Sequence, residues 1–223
     1  MKKFFALLMI CCILPMNLTA IASTETESES ETDYNPYLVL VNKTHELPNG
    51  WGNVIHIDTA INSLGEENRI ERKTYQAFRA LRSELLSTGV QIELDSVYRS
   101  VEEQQEIWDE WSADPEKGED YCKKYLAVPG YSEHHTGLAV DIFIMKDGKE
   151  IRDNDSMIAD EEDFTVVHEL LPKYGVILRY PKDQDEITGY AYEPWHLRYI
   201  NDPALAQKIT DESITLEEYL GAK

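Results

Sequence analysis

Residues 132–145 read Ser-Glu-His-His-Thr-Gly-Leu-Ala-Val-Asp-Ile-Phe-Ile-Met, a polar segment followed directly by an apolar one. Its first half is polar and ends at Gly137, which allows a sharp bend. Its second half, residues 139–145, is an apolar run followed by an Asp-Gly pair, a pattern that predicts a strand closed by a hairpin turn. Asp141 lies inside this run, where a buried carboxylate without a partner is costly and therefore needs a cation. A metal ion is one candidate for that cation.

The sequence on either side predicts helices and short strands in irregular order. Apolar residues at three- and four-residue steps predict an amphipathic helix over residues 66–87, and alternation predicts a strand over residues 90–94. Residues 114–130 are rich in charge, proline and glycine, which is typical of a loop. The other predicted elements are a helix containing Val101 and Trp111, a helix over residues 161–174, a strand over residues 176–180 and a short terminal helix opened by Thr215. This order predicts an α+β fold with a small antiparallel sheet flanked by helices.

Residues 193–196 read Glu-Pro-Trp-His and supply the second part of a candidate site. The proline excludes a helix interior, so Glu193 and His196 are expected on a turn that enters a strand. Together the two stretches provide three metal ligands and one further carboxylate, which is typical of a catalytic zinc site with an open position for water. The further carboxylate could take a proton from that water. Either His134 or His135 could be the ligand from the first stretch, and each side chain taken singly could be an ordinary surface residue.

Composition limits the number of domains and the classes of partner. The chain has 223 residues, of which 42% are hydrophobic, and after removal of an N-terminal signal we expect one domain of roughly 185 residues. The formal net charge is -21 at pH 7. Such an acidic surface repels phosphate groups, so nucleic acid and anionic membrane surfaces are not expected partners. The sequence does not predict an oligomeric state.

The N-terminus has the pattern of an export signal. Lys2 and Lys3 precede an apolar run over residues 4–14, and an Ala-Ile-Ala sequence ends at Ala22, which predicts a signal peptide over residues 1–22. The apolar run is shorter than the ~20 residues that span a bilayer. Contact with the membrane is therefore expected only if this segment is not cleaved. We predict an exported, extracytoplasmic protein.

The residues that follow the predicted signal divide into a linker and a folded domain. Residues 23–33 alternate Ser, Thr, Glu and Asp without a large apolar side chain, which is typical of a solvated segment. An apolar stretch begins at Tyr37. We therefore predict an acidic low-complexity linker over residues 23–36 and one domain over residues 37–223.

Two motifs dominate the sequence of this domain, Ser-x-His-x-x-Gly-x-Ala-x-Asp over residues 132–141 and Glu-x-x-His over residues 193–196. Four shorter motifs accompany them: Tyr98-Arg99-Ser100 with Gln104, Pro129-Gly130-Tyr131, Leu178-Arg179-Tyr180-Pro181 and Thr215-Leu216-Glu217-Glu218-Tyr219. In this order the motifs resemble the zinc D-alanyl-D-alanine carboxypeptidases of the VanY type, whose fold also resembles the hedgehog signalling domain. The resemblance covers most of residues 37–223 and implies one zinc carboxypeptidase domain with a hedgehog/DD-peptidase-like fold.

The resemblance also implies which residues bind the metal. Carried over onto the matching positions, it implies that His134, Asp141 and His196 bind Zn²⁺. His135 occupies a variable position of the motif. It is therefore expected to be a loop side chain near the rim of the site.

The resemblance to this family also implies the roles of four further residues. Glu193 matches the general base of the family. Arg99 matches the guanidinium that stabilises the negative charge on the carbonyl oxygen during hydrolysis. Ser132 and Gln104 match groups that contact the terminal residue of the substrate.

These roles imply an enzyme that removes the C-terminal D-alanine from peptidoglycan stem peptides or their precursor. An L,D-carboxypeptidase that acts on tetrapeptide stems is an alternative, because the same motifs serve both cuts. A non-catalytic zinc or cell-wall-binding module is another. Glu193 argues against the latter, since a structural zinc site usually has four protein ligands and no spare base. An endopeptidase is less favoured because no wall-binding repeat follows residue 141.

Overall fold

A five-stranded antiparallel sheet forms the centre of the fold in a computed structural model, which describes residues 35–115 and 117–222. Its strands and those of a separate two-stranded sheet are β1 Ile57–Ile61, β2 Glu67–Glu71, β3 Gln91–Ser96, β4 Ala139–Lys146, β5 Lys149–Ile151, β6 Val176–Tyr180 and β7 Glu193–Tyr199. The helices are α1 Arg72–Thr88, α2 Val101–Ala113, α3 Gly118–Tyr125, α4 Asn154–Ala159, α5 Glu161–Leu170, α6 Asp185–Thr188, α7 Pro203–Glu212 and α8 Leu216–Tyr219. Within these ranges, no helix is both long and apolar enough to cross a membrane.

The order of the strands brings distant parts of the chain together. The central sheet has the order β3-β4-β7-β6, and β5 pairs with the end of β4 as a hairpin. Asp141 of β4 lies directly opposite His196 of β7, and on the other side of β4 it lies opposite Ser96 of β3. The separate sheet is the β1–β2 hairpin. Two predicted ligands that are 55 positions apart in sequence are thus neighbours across one strand pair.

The hydrophobic core is shared between the central sheet and the helices that pack on it. Helix α1 packs against β3 and α5, and the buried apolar residues of this helix are Phe78, Leu81 and Leu85. This spacing of three and four residues is the apolar stripe that the sequence predicts. Helix α7 packs against β6 and supplies a second buried cluster with Leu205 and Ile209. These layers pack against the sheet and hold it in place.

The predicted α+β fold with an antiparallel sheet is confirmed. The strand predicted over residues 90–94 is part of β3, and the predicted strand over residues 176–180 is β6. The Asp-Gly turn joins β4 to β5 as predicted. The side chain of Thr215 accepts a hydrogen bond from Glu218 and forms the predicted capping box of α8.

Three predicted elements differ from the structure in their extent. The helix predicted over residues 161–174 ends at Leu170, and a separate 3-10 helix follows at Pro172–Tyr174. The helix predicted from residue 66 begins at Arg72, because residues 67–71 pair with β1 and the Glu71 side chain caps the helix by accepting a hydrogen bond from Thr74. The predicted loop over residues 114–130 contains α3. Cys122 of this helix is fully buried, and helix α3 packs against α2. The high charge of the surrounding residues concealed this short buried face.

The predicted signal peptide over residues 1–22 lies outside the described residues. The predicted linker over residues 23–36 also lies outside them, except for its last two residues. The described part of the chain begins with Asn35, whose side chain caps a 3-10 helix at Pro36–Leu38.

Candidate metal centre and active site

A short 3-10 helix and two strands position the three predicted ligands. Ser132 caps the 3-10 helix Glu133–Thr136 by accepting a hydrogen bond from the backbone of His134. Gly137 ends this helix with a φ of 71°, and a Cβ at that position would meet Ile57 Cδ1 at 2.7 Å. Only glycine fits this left-handed conformation and close approach without strain. The glycine therefore turns the chain from the histidine-bearing loop directly into β4.

The side chains of His134, Asp141 and His196 meet at one point. The His134 Nε2 atom lies 3.1 Å from Asp141 Oδ2, and the His196 Nδ1 atom lies 2.9 Å from Asp141 Oδ1. One ligand atom from each residue lies within 4.8 Å of the other two. The two histidines are buried and Asp141 is mostly buried. The structure therefore brings together the three residues predicted to bind the metal.

The hydrogen bonds around these residues fit a cation at their centre. His134 Nδ1 donates to the backbone carbonyl of Val97 at 2.6 Å, so in the neutral ring Nε2 carries a lone pair. That lone pair faces an Asp141 carboxylate, and two acceptors in contact require a positive charge between them. Asp141 Oδ1 is also buried without a well-formed hydrogen bond. Two imidazoles and one carboxylate are the donor set of a catalytic zinc site with one open position.

Burial and neighbouring charges shift the pKa of each of the three ligands. Burial would raise the pKa of Asp141, but the adjacent His134 and His196 outweigh burial and hold it far below its usual value. Burial lowers the pKa of His134. Burial also lowers the pKa of His196, but the adjacent Asp141 and Glu133 carboxylates outweigh this effect and raise the pKa to about 9. The carboxylate thus stays ionised and attracts positive charge to this point.

Glu193 lies beside the three ligands without belonging to their cluster. Its Oε2 atom is 3.7 Å from His196 Nδ1, and its side chain is only 9% exposed. Burial raises the pKa of Glu193 to about 8, while His196 lowers it and Asp141 raises it. A bound dication would oppose this rise, because a nearby positive charge favours the carboxylate. The position and the environment suit a group that accepts and returns a proton.

The strand that carries Glu193 and His196 is irregular at this point. In a regular strand, residues three apart face opposite sides of the sheet. The pairing of β6 with β7 shifts between Leu178 and Tyr180, because Leu178 lies opposite Leu197 whereas Tyr180 lies opposite Glu193. Two extra residues of β7 are accommodated there, which is a bulge. Both side chains line the same cavity, although they belong to one irregular strand rather than to the turn that was predicted.

Arg99 reaches the site with its charge unpaired. Its Nη1 atom donates to Gln104 Oε1 at 2.9 Å and its Nη2 atom donates to Ser96 Oγ at 3.2 Å. Both partners are neutral, and within the described part of the chain Arg99 makes no ion pair. Burial lowers its pKa, but an arginine stays charged at neutral pH. The guanidinium is therefore held by neutral groups and is free to stabilise negative charge on a substrate.

Gln104 and Ser132 both line the same cavity as the metal ligands. Gln104 is fully buried, and besides accepting from Arg99 it donates to the backbone carbonyl of Ala127 at 2.6 Å. These two bonds give Gln104 a role in orienting Arg99 that the sequence did not indicate. Contact of Gln104 and Ser132 with the terminal residue of a substrate stays a prediction.

The prediction for His135 is wrong. It is not a side chain at the rim of the site but is buried, with 2% exposure. Its Nδ1 atom donates to the backbone carbonyl of Arg99 at 2.7 Å, and its Nε2 atom accepts from the backbone of Gly130 at 3.1 Å. These two bonds use both ring nitrogens, so His135 joins the loops of the site and is not available as a ligand.

The ligands, Glu193 and Arg99 surround a cavity of about 350 Å³. Other side chains for which the sequence predicted no role in the site also line it, including Asp95, Ile107, Trp111, Tyr125, Met157, Tyr190 and Trp195. They come from five separate regions of the chain, so no local pattern could reveal them. A bulge in β3 between Leu94 and Ser96 places Asp95 on this wall. The cavity is large enough for the end of a peptide.

Comparisons with known proteins agree with this arrangement. The sequence model of one family, described as VanY: D-alanyl-D-alanine carboxypeptidase, matches residues 67–202. A vancomycin resistance D,D-pentapeptidase VanY from the VanB-type resistance cassette, solved as a mutant in complex with Zn(II), is 34% identical and has a TM-score of 0.64. The match covers 83% of this chain and 99% of that one. The site of this chain has the donor set that zinc prefers.

Two further solved structures are similar over most of their length. VanYB in complex with D-Alanine-D-Alanine is 34% identical with a TM-score of 0.63, over 84% of this chain and 98% of that one. The LdcB LD-carboxypeptidase is 37% identical with a TM-score of 0.69, over 84% of this chain and 87% of that one.

Proposed function

Because the chain belongs to the VanY family of zinc-dependent D-alanyl-D-alanine carboxypeptidases, we propose that its metal centre removes the C-terminal D-alanine from peptidoglycan stem peptides. One observation carries this proposal. Two ligands face each other across β4 and β7, and a buried carboxylate that is not needed as a ligand lies 3.7 Å from one of them. A purely structural zinc site has no use for such a group.

The roles of the side chains follow from their positions. His134, Asp141 and His196 would hold the zinc ion. When bound, zinc supplies a Lewis acid that polarises a carbonyl oxygen and lowers the pKa of a water molecule. Glu193 takes a proton from the attacking water at its carboxylate and returns it to the amine nitrogen of the departing D-alanine. Arg99 donates hydrogen bonds to the carbonyl oxygen of the scissile bond as that oxygen gains negative charge.

The cavity also supplies groups for the free C-terminus that a carboxypeptidase must recognise. The Ser132 side chain and the Arg99 guanidinium both line it, and a carboxylate binds well to such donors. Arg99 retains donor capacity because only two of its five N–H groups bond to Gln104 and Ser96. The chain has a formal net charge of -21, which repels the phosphate backbone and makes nucleic acid an unsuitable partner.

The D,D and L,D alternatives differ in the stem peptide that is cut. The likeness to an LD-carboxypeptidase keeps the second alternative open to test, whereas the matched family is described by D-alanyl-D-alanine cleavage. We expect the zinc-loaded protein to cleave a pentapeptide stem ending in D-Ala-D-Ala at least about tenfold faster, in kcat/KM, than a tetrapeptide stem. Mass spectrometry of the products from each peptide measures this ratio.

The outcomes of this experiment separate the two alternatives. Loss of a single D-alanine from the pentapeptide supports the proposal. Faster release of D-alanine from the tetrapeptide would instead support the L,D-carboxypeptidase. Cleavage of neither peptide by protein with bound zinc would contradict both.

We further propose that the protein acts outside the cytoplasm, where peptidoglycan stem peptides are exposed. The charged and apolar pattern of residues 1–22 supports this proposal. N-terminal sequencing of the exported protein should begin at Ser23. A mature N-terminus at Met1 would contradict cleavage of the predicted signal.

A further inference from the structure

Four charged side chains form a buried network behind the metal centre. Glu133 Oε1 accepts from Arg179 Nε at 2.8 Å and from Arg198 Nη1 at 2.7 Å. Arg179 also donates two hydrogen bonds to Glu217 of α8, at 2.9 and 2.6 Å. The four side chains are at most 2% exposed. Two positive and two negative charges balance, which is the condition for keeping such groups in an interior.

One atom of this network faces a metal ligand. The second oxygen of Glu133, Oε2, lies 3.5 Å from His196 Nε2. Both atoms are buried, and neither has a hydrogen-bond partner elsewhere in residues 35–115 and 117–222. A buried donor or acceptor without a partner is costly. A hydrogen bond between these two atoms would satisfy both at once.

The backbone explains why one carboxylate reaches both groups. His196 and Arg198 are two residues apart in β7 and therefore face the same side of the strand. Glu133 begins the 3-10 helix and immediately precedes the ligand His134. The two arginines fix its Oε1 atom, and this leaves Oε2 directed at the imidazole. Glu133 thus links the loop that carries one ligand to the strand that carries another.

We propose that Glu133 is a positioning residue for the zinc site, which accepts a hydrogen bond from His196 Nε2–H and so directs His196 Nδ1 at the metal. The ring has two nitrogens, and the hydrogen bond made by one determines which one binds a metal. The Nδ1 atom is the one that lies 2.9 Å from Asp141. This inference rests on the proposed function, because it takes His196 to be a zinc ligand.

Zinc affinity tests the inference independently of activity. We expect Glu133→Gln to lower the affinity for Zn²⁺ by about 10–100-fold, the usual effect of losing a partner of a ligating histidine. Glu217→Gln is the matched control, because it removes one negative charge from the same network but does not contact His196. Its affinity is expected to stay within about threefold of wild type. Competition with a chromophoric chelator gives both values.

A second measurement covers the case in which Glu133→Gln does not fold. In the zinc-loaded wild-type protein labelled with ¹⁵N-histidine, the Nε2–H proton of His196 should give a strongly downfield NMR signal that exchanges slowly with water. The signal should persist in Glu217→Gln. A fast-exchanging proton, or equal losses of affinity in the two variants, would overturn the inference.

The failure of this inference and the failure of the proposed function look different. If wild-type protein binds zinc and cleaves the pentapeptide while Glu133→Gln binds zinc as tightly as wild type, only the role of Glu133 is wrong. If wild-type protein does not bind zinc, the assignment of the metal centre itself is wrong.

Discussion

Replacement of Glu193 by glutamine is expected to lower kcat for the pentapeptide by about 10²–10⁴-fold, the range associated with loss of a general acid-base group. Glutamine has nearly the same shape but cannot accept the proton. Zinc affinity should change little, because Glu193 lies outside the ligand cluster. Steady-state kinetics and zinc content, measured on the same protein preparation, test the two parts of this expectation.

An exposed glutamate provides the control for this variant. Glu186 of α6 is exposed and is not among the residues that line the cavity. Glu186→Gln should have wild-type kinetics. If Glu193→Gln kept more than about a tenth of the wild-type kcat, another group would have to be the base. If Glu193→Gln lost its zinc, the assignment of Glu193 as a base that is not a zinc ligand would be wrong.

The second large effect is expected from two adjacent histidines. His134→Gln should lower zinc affinity by more than the ~100-fold that an outer contact can contribute, because it removes one of three ligands, and hydrolysis should be lost with the metal. His135→Gln should retain zinc binding, because both nitrogens of His135 are bonded to Gly130 and Arg99. Equilibrium dialysis with Zn²⁺ measures both affinities.

The comparison within this pair excludes a general effect on the loop. The two substitutions are identical in chemistry and differ by one position in the chain. Zinc loss in His135→Gln with retention in His134→Gln would reverse the assignment. Equal loss in both variants would indicate that the fold of the loop, and not a ligand, had been changed.

The part of the site that could be predicted from sequence is the part that depends on local pattern. The sequence predicted a bend at Gly137 followed by an apolar strand that carries Asp141, and the structure has a left-handed glycine followed by β4. The carboxylate in an apolar run indicated a cation. These inferences rest on rules that apply within ten residues of the chain.

The remaining features depend on contacts between distant segments. The sequence predicted that Glu193 and His196 meet at one site, but it predicted a turn there and not the bulge in β7, which arises from the pairing of β7 with β6. The burial of His135 follows from bonds to Gly130 and to Arg99, and the sequence places Arg99 36 positions away. Such partners cannot be identified from one sequence without its fold.

Charged residues were the hardest to interpret. Glu133, Arg179 and Arg198 resemble ordinary surface residues in the sequence, yet their side chains are 0% exposed. Lone charged residues are rarely buried unless they are paired, and the pairing partners lie 46 and 65 positions apart along the chain. The charge of helix α3 misled in the same way, because its buried Cys122 lies among the exposed Glu119, Asp120 and Lys123.

Anomalous diffraction at the zinc absorption edge, from crystals of the zinc-loaded protein, would locate the bound ion. We predict one peak within about 2.0–2.2 Å of His134 Nε2, His196 Nδ1 and a carboxylate oxygen of Asp141, with Glu193 beyond bonding distance. A peak at other residues, or one in which Glu193 or a further side chain completes four protein ligands, would contradict this prediction.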